Sequence, residues 1–276
     1  MVRPLAVLRG GGELGTAIGH AISALGVRLL VIDRPLPGAL RLRVAFATAA
    51  VEGEITVEGV RAVHCVGRAD VEAAWRHDRV AVWTSDAPLP WSPDILVDAR
   101  MRSLSQPMTR IDEAPLVIGI GPGFEAGRDV HAVIESNRGP SLGRVVRVGH
   151  AEAHTGIPGD VLGLREERIV RSPCAGTFVR RRELGDFLEV GDVVGEVEGE
   201  PVVARLAGML RGLKLSGVAV GRAHKVGDVD PRRDRALLHV MTDKAKAVGR
   251  GAVEAITASG ILGTEPRAQG SHCPCT

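Results

Sequence analysis

A segment of the C-terminal half repeats itself without a gap. Ser172 to Val197 aligns on Ala204 to Val229 at an offset of 32, setting Ala175 against Ala207, Gly176 against Gly208, Gly185 against Gly217, Gly195 against Gly227 and Val197 against Val229. Short apolar runs with glycine at the same turns, twice over, restrict this region to an all-β sandwich of two interlocked halves. The segment before it must then form a separate unit. The charged linker Arg165 to Arg168 divides the chain into residues 1–165, a repeat region over 166–240, a helix over 241–262 and a flexible tail over 263–276.

The first unit opens as strand, glycine turn and helix. Leu5 to Leu8 is a buried-strand run, Arg9-Gly-Gly-Gly-Glu-Leu-Gly15 follows, and Leu14, Ala17, Ile18, Ala21, Ile22 and Leu25 recur at helical spacing up to Gly26. Val27 to Ile32 reads as the next strand and ends at Asp33. In a dinucleotide-binding fold, Gly10 permits the tight turn, Gly12 lets backbone approach a pyrophosphate and Gly15 allows close helix packing. Gly11, Glu13 and Leu14 complete that loop, and Asp33 bonds a ribose hydroxyl. Any strand–helix turn also favours glycine, and Glu13 repels phosphate unless it points away. Further apolar runs at Val80 to Trp83, Asp94 to Asp98 and Leu116 to Ile120, with a helix over Ala69 to Arg76, argue for a mostly parallel sheet. The expected fold class is therefore α/β plus β, a Rossmann-like parallel-sheet domain ahead of the repeat.

Candidate chemistry gathers where those strands end. Gly121 and Gly123 offer backbone donors for an anion, with the alternative that they form only a rigid turn. Asp98 is a candidate proton carrier or an ion-pair partner of Arg100 or Arg110. Asp129, His131 and Glu135 share one strand face by two-residue periodicity, for proton transfer or metal binding or simply as a solvated face. No metal site is expected, since His150 and His154 lack a helix to give their spacing meaning. Near the C-terminus, Thr242-Asp243 caps a helix that docks on the first unit, with Gly249 and Gly251 costing about 1 kcal/mol each unless close packing needs them.

Composition excludes several classes. A net charge of +2 over 276 residues provides no broad field for nucleic acid or an anionic membrane. The longest apolar stretch, Ala114 to Phe124, is 11 residues and falls short of the ~18 that span a bilayer. A cytoplasmic protein with free thiols is expected. The four Lys all lie between Lys214 and Lys246, a bias read as genomic rather than chemical.

The repeat resembles biotinyl/lipoyl-like (hammerhead) domains. Its joining link, Glu198-Gly-Glu-Pro201, holds no acceptor Lys, so no covalent biotin or lipoate is expected. Over roughly the whole chain, Arg9 to Gly15, Val51 to Gly59, Val97 to Met101, Ala114 to Phe124, His131 to Glu135, Thr155 to Gly159 and Gly227 to Pro231 resemble the YqeB-type proteins of selenium-dependent molybdenum hydroxylase systems. The first unit is also similar to the Rossmann-like part of XdhC-type accessory proteins. Pro140 departs from the pattern, where His is expected, and the Cys273-Pro-Cys275 tail is an addition.

The resemblance implies an accessory factor for maturation of a molybdenum hydroxylase, binding a nucleotide such as NAD(P) or a molybdopterin-type cofactor. Its partners would be that client and a small phosphorylated ligand, with homo-oligomerisation open. Asp98, His131 and Glu135 would then carry protons, and Arg100, Arg110 and Arg138 would fork phosphate or molybdate oxygens. An NAD(P)-dependent oxidoreductase and a non-enzymatic scaffold with a vacant site are the competing classes.

Overall fold

The computed structural model describes residues 3–84, 88–101 and 109–263; the Cys273 and Cys275 tail lies outside them. The first part of the chain is built on β1 (Leu5–Arg9), α1 (Glu13–Ser23), β2 (Arg28–Ile32), α2 (Ala49–Glu52), β3 (Glu54–Val57), β4 (Val60–Cys65), α3 (Arg68–Arg76), β5 (Val80–Trp83), β6 (Ile95–Asp98) and β7 (Leu116–Ile120). Four short strands follow, β8 (Glu125–Ala126), β9 (Ala132–Ile134), β10 (Val145–Val146) and β11 (Gly149–His150). Nine of these eleven form one sheet in the order β10-β9-β7-β6-β1-β2-β5-β4-β3, while β8 and β11 pair separately.

Strand β1 lies in the middle of that sheet, parallel to β2 on one side and β6 on the other. Both of its faces are covered, which is why Leu5 to Leu8 is apolar without alternation. Ala6 and Leu8 pack into the core beneath α1, whereas Leu5 and Val7 join Trp75 of α3 and Trp83 on the opposite face.

The second part holds β12 (Ile169–Arg171), β13 (Gly176–Arg180), β14 (Phe187–Leu188), β15 (Val193–Val197), β16 (Glu200–Val203), β17 (Gly208–Leu213), β18 (Ala219–Val220) and β19 (Lys225–Asp230). The sequence repeat has a structural counterpart. Strands β13, β14 and β15 begin 32 residues ahead of β17, β18 and β19. The copies exchange their short middle strand: β14 pairs with β17, and β18 pairs with β13. Phe178, Leu188, Leu210 and Val226 meet in one buried core between the two sheets.

Helix α4 (Asp243–Ser259) then returns to the first part and lies along α1. Gly249 and Gly251 permit that approach, because an added Cβ would stand 2.7 Å from the Ala17 carbonyl at the first and 2.2 Å from the Gly143 carbonyl at the second. The Thr242 hydroxyl caps the helix by accepting from the Ala245 N–H.

The expected fold class needs correction on two points. The large sheet is mixed rather than parallel, since the Glu58-Gly59 turn sends β4 back against β3 and the turn before Val145 sends β10 back against β9. The β part is not the biotinyl/lipoyl-like hammerhead domain expected. The expected bare link continues into a fourth strand, β16, and β12 edges the other sheet, giving two four-stranded sheets of order β16-β15-β13-β18 and β12-β19-β17-β14. That region is also stitched to the first. The Leu213 N–H donates to the Leu40 carbonyl at 3.0 Å, and Lys214 Nζ to the Gly38 carbonyl at 2.9 Å. No helix among the described residues is long and apolar enough to cross a membrane.

Candidate functional site

The chain reverses direction across the sheet between β1 and β6, and a crevice at the C-terminal ends of these strands follows from that topology. Gly10 takes φ +98° there and donates its N–H to the Ile32 carbonyl. A Cβ on Gly15 would stand 1.9 Å from the Gly10 carbonyl oxygen, so the helix sits on the loop as only glycine allows. Thr16 fastens the turn from below, its hydroxyl donating to the Gly11 carbonyl and accepting from the Phe46 N–H. Sequence reasoning passed over Thr16, which lies on the helix side of the motif.

Gly12 is different. Nothing lies within 4 Å of where its Cβ would be, and it faces a cavity of about 460 Å³ bordered by Arg9, Asp33, Arg34, Ala99 and Arg100. A cradle of that size, open at the first turn of a helix, suits a phosphate-bearing group. Asp33 Oδ2 accepts the Gly11 N–H at 2.6 Å and Oδ1 accepts the Arg34 N–H at 2.7 Å. Each oxygen keeps a second lone pair for a sugar hydroxyl. Glu13 points elsewhere, accepting from the Thr242 N–H and from Arg41, and so removes its charge from the loop.

Asp98 closes β6 and is 1% exposed. Burial alone would raise its carboxyl, but the Arg100 guanidinium, assisted by the Thr109 hydroxyl, holds it below the ordinary carboxylate value. It therefore stays ionised near neutral pH and orients Arg100. Arg9 continues the network by donating to Thr109 Oγ1 at 2.6 Å and pairing with Glu113.

The other expected residues do not converge on this point. Glu135 is fully buried, and its two oxygens accept the Asn137 and Glu152 N–H groups, an arrangement that fastens loops. His131 precedes β9 at the far end of the sheet, where its Nδ1 accepts the Val117 N–H. Four residues along an extended chain span roughly 13 Å, so a shared strand face does not bring His131 to Glu135. Arg110 pairs with Asp112 on the surface. The Gly121 N–H donates to the Ile134 carbonyl and is not free for an anion, while Gly123 turns the chain with φ +105°. Of the expected set, Gly10, Gly11, Gly12, Gly15, Asp33, Asp98 and Arg100 come together, while Glu13 and Leu14 turn toward the other concavity.

Arg138 belongs to a second concavity that the sequence did not announce. Between the two parts of the chain runs a cleft with lobes of about 340 and 820 Å³ that share Arg138, Gly159, Lys225 and Lys244 in their walls. Its inner wall holds Arg41, Arg168 and Arg211, all buried. Arg41 pairs with Glu13 at 3.2 Å and donates to the Leu237 and Val240 carbonyls, yet its Nε is buried without a partner, an arrangement that costs about 1–3 kcal/mol. Arg168 and Lys225 share Asp228, at 3.0 and 3.2 Å. Arg211 pairs with Asp230 at 3.2 Å; burial and the neighbouring Arg41 lower its proton affinity. Burial and Arg138 likewise depress the Lys244 amine.

No protein-family model matches the chain. It is 37% identical over 257 residues, 91% of its length, to the uncharacterized protein YqeB of Escherichia coli K12. Over that span the chain is similar to YqeB. It covers 47% of the E. coli protein, about half of that relative's length. Among solved structures it resembles an aspartoacylase family protein from Mesorhizobium loti, at 13% identity over 83% of this chain and 85% of that one with a TM-score of 0.26. It also resembles a succinylglutamate desuccinylase/aspartoacylase from Rhodobacter sphaeroides, at 17% identity over the same shares with a TM-score of 0.26. At that TM-score these likenesses carry no argument about this chain.

Proposed function

We propose that the protein is an accessory factor in the maturation of a molybdenum hydroxylase, and that its glycine loop holds a phosphate-bearing ligand, a nucleotide or a molybdopterin-type cofactor, for that client. The observation that carries the binding half of this reading is Gly12, which meets no neighbour within 4 Å and opens on the 460 Å³ cavity beside Asp33 and Arg100. Helix α1 would present its positive end to the phosphate, Asp33 would accept a hydroxyl, and Arg100, oriented by Asp98, would fork an anionic oxygen. The client and the selenium-dependent setting rest on the resemblance of the seven sequence blocks to YqeB-type proteins, with which the 37% identity agrees. A cytoplasmic location belongs to the same reading.

The molybdenum cofactor would supply the redox chemistry of the client. The residues of this chain would bind, orient and release it. Deleting the gene in its own organism should leave the hydroxylase made but inactive and short of complete cofactor, as judged by activity assay with metal and pterin analysis. Unchanged activity in every molybdenum hydroxylase of that cell would overturn the assignment.

A further inference from the structure

We propose that the cleft between the two parts of the chain is a second binding site, for a compact polyanion carrying two or more linked phosphate-type groups. It is separate from the glycine-loop cavity, with which it shares only Ala39 among the lining residues. Eight cationic side chains face its lobes against three carboxylates, Glu13, Asp160 and Asp228. Those carboxylates are already engaged: Glu13 with Arg41, Asp228 with Arg168 and Lys225, and Asp160 with Arg165. Arg138 and Lys244 form no salt bridge among the described residues; burial and the nearby Arg138 disfavour the charged Lys244 amine, and Glu13 and Glu135 only partly oppose them.

Two features of this arrangement work against stability. Lys244 occupies the first turn of α4, where the helix dipole disfavours a cation. Arg41 and Arg211 are buried side by side, with the Arg41 Nε unpartnered. An anion spanning the cleft would relieve both like-charge pairs and meet the first turns of α1 and α4, whose Glu13, Leu14, Thr242 and Lys244 line it. Neither Phe nor Trp is among the described residues lining the lobes and His154 is the one ring there, so recognition falls mainly on the charged portion of the ligand. A long nucleic acid is disfavoured by the net charge of only +2.

The test is calorimetry of the whole chain at low salt with phosphate, pyrophosphate and tripolyphosphate. Pyrophosphate and tripolyphosphate should bind, and bind more tightly than phosphate. Lys244→Gln and Arg138→Gln should each weaken them about tenfold or more, the loss expected for one charge-assisted contact. Gly12→Val should leave this binding unchanged, which separates it from the glycine loop. Because Arg138 lies in a loop and Lys244 in a helix, one variant remains informative if the other unfolds. In the wild type, pyrophosphate should also protect Lys244 from acetylation, read by peptide mass spectrometry. No binding by the wild type, binding unchanged in both Gln variants, or binding lost in Gly12→Val would each overturn the proposal.

Discussion

At the glycine loop, Arg100 and Arg9 on the cavity rim are each matched by a carboxylate, Asp98 and Glu113 respectively, so that region has its charges balanced and its backbone exposed. In the cleft eight cationic side chains face three carboxylates. The two concavities sit on either side of one short segment, Gly38 to Arg41, which contributes to both. The difference teaches what each can recognise. An open glycine at a helix start selects by shape and N–H direction, with little long-range field; a cluster of partly unpaired cations selects by charge and responds to salt.

The largest effect separates two glycines three residues apart. Gly15→Val forces a side chain against the Gly10 carbonyl, 1.9 Å from its Cβ, and should destabilise the fold by roughly 4 kcal/mol or more in chemical denaturation. Gly12→Val should change stability by only about 0.5 kcal/mol, because its surroundings are open, while removing ligand binding at the loop. Equal destabilisation by both would show that the loop is only a packing device.

Glu13→Ala comes next and acts on the cleft alone. It removes the partner of the buried Arg41 and the acceptor of the Thr242 N–H, and should cost about 2 kcal/mol. The same change should tighten pyrophosphate binding, since it deletes a carboxylate from the wall. Weaker pyrophosphate binding at unchanged stability would break the contrast between the regions.

Acid titration touches both regions. Asp98 and Asp230 are buried, but Arg100 in one case and Arg232 in the other hold them below the ordinary carboxylate value of 3.8. Carboxylates lowered in the folded state bind fewer protons than in the unfolded chain. Their contribution is present above that ordinary range and drains away as pH falls through the lowered values. Asp98→Asn should flatten the acid limb of the stability profile, and an unaltered slope would argue against an ionised Asp98. Lys244 gives the smallest effect and the opposite limb. Its amine is depressed below the ordinary 10.5, so the unfolded chain binds more protons between the two values and stability should rise with pH in that window. Lys244→Gln should remove the rise.

The central strands were legible because burial on both faces produces uninterrupted apolar runs: Leu5 to Leu8, Val80 to Trp83 and Leu116 to Ile120 each became a strand. The β3–β4 hairpin was not, since its residues are half-exposed and mix charged with apolar side chains. The repeat showed the strand recurrence at 32 residues but suggested the wrong domain type, because β12 and β16 lie outside the aligned turns. At the site, local spacing identified Gly10 to Gly15 and Asp33. Periodicity put His131 and Glu135 on one face without saying that they sit at opposite ends of a strand. The cleft draws on Glu13, Arg41, Arg138, Arg168, Arg211, Lys225 and Lys244, too scattered for any motif, although two of the four Lys that composition set apart are in it.

Binding at the glycine loop is the claim on which the account turns. Calorimetry with NAD(P), other nucleotides and molybdopterin forms, run in an Arg138→Gln/Lys244→Gln background to weaken the cleft, compares the chain with and without Gly12→Val. One phosphorylated ligand should bind when Gly12 is present and fail to bind the Gly12→Val chain at unchanged melting temperature. No binding in either chain, or equal binding in both, would contradict the account.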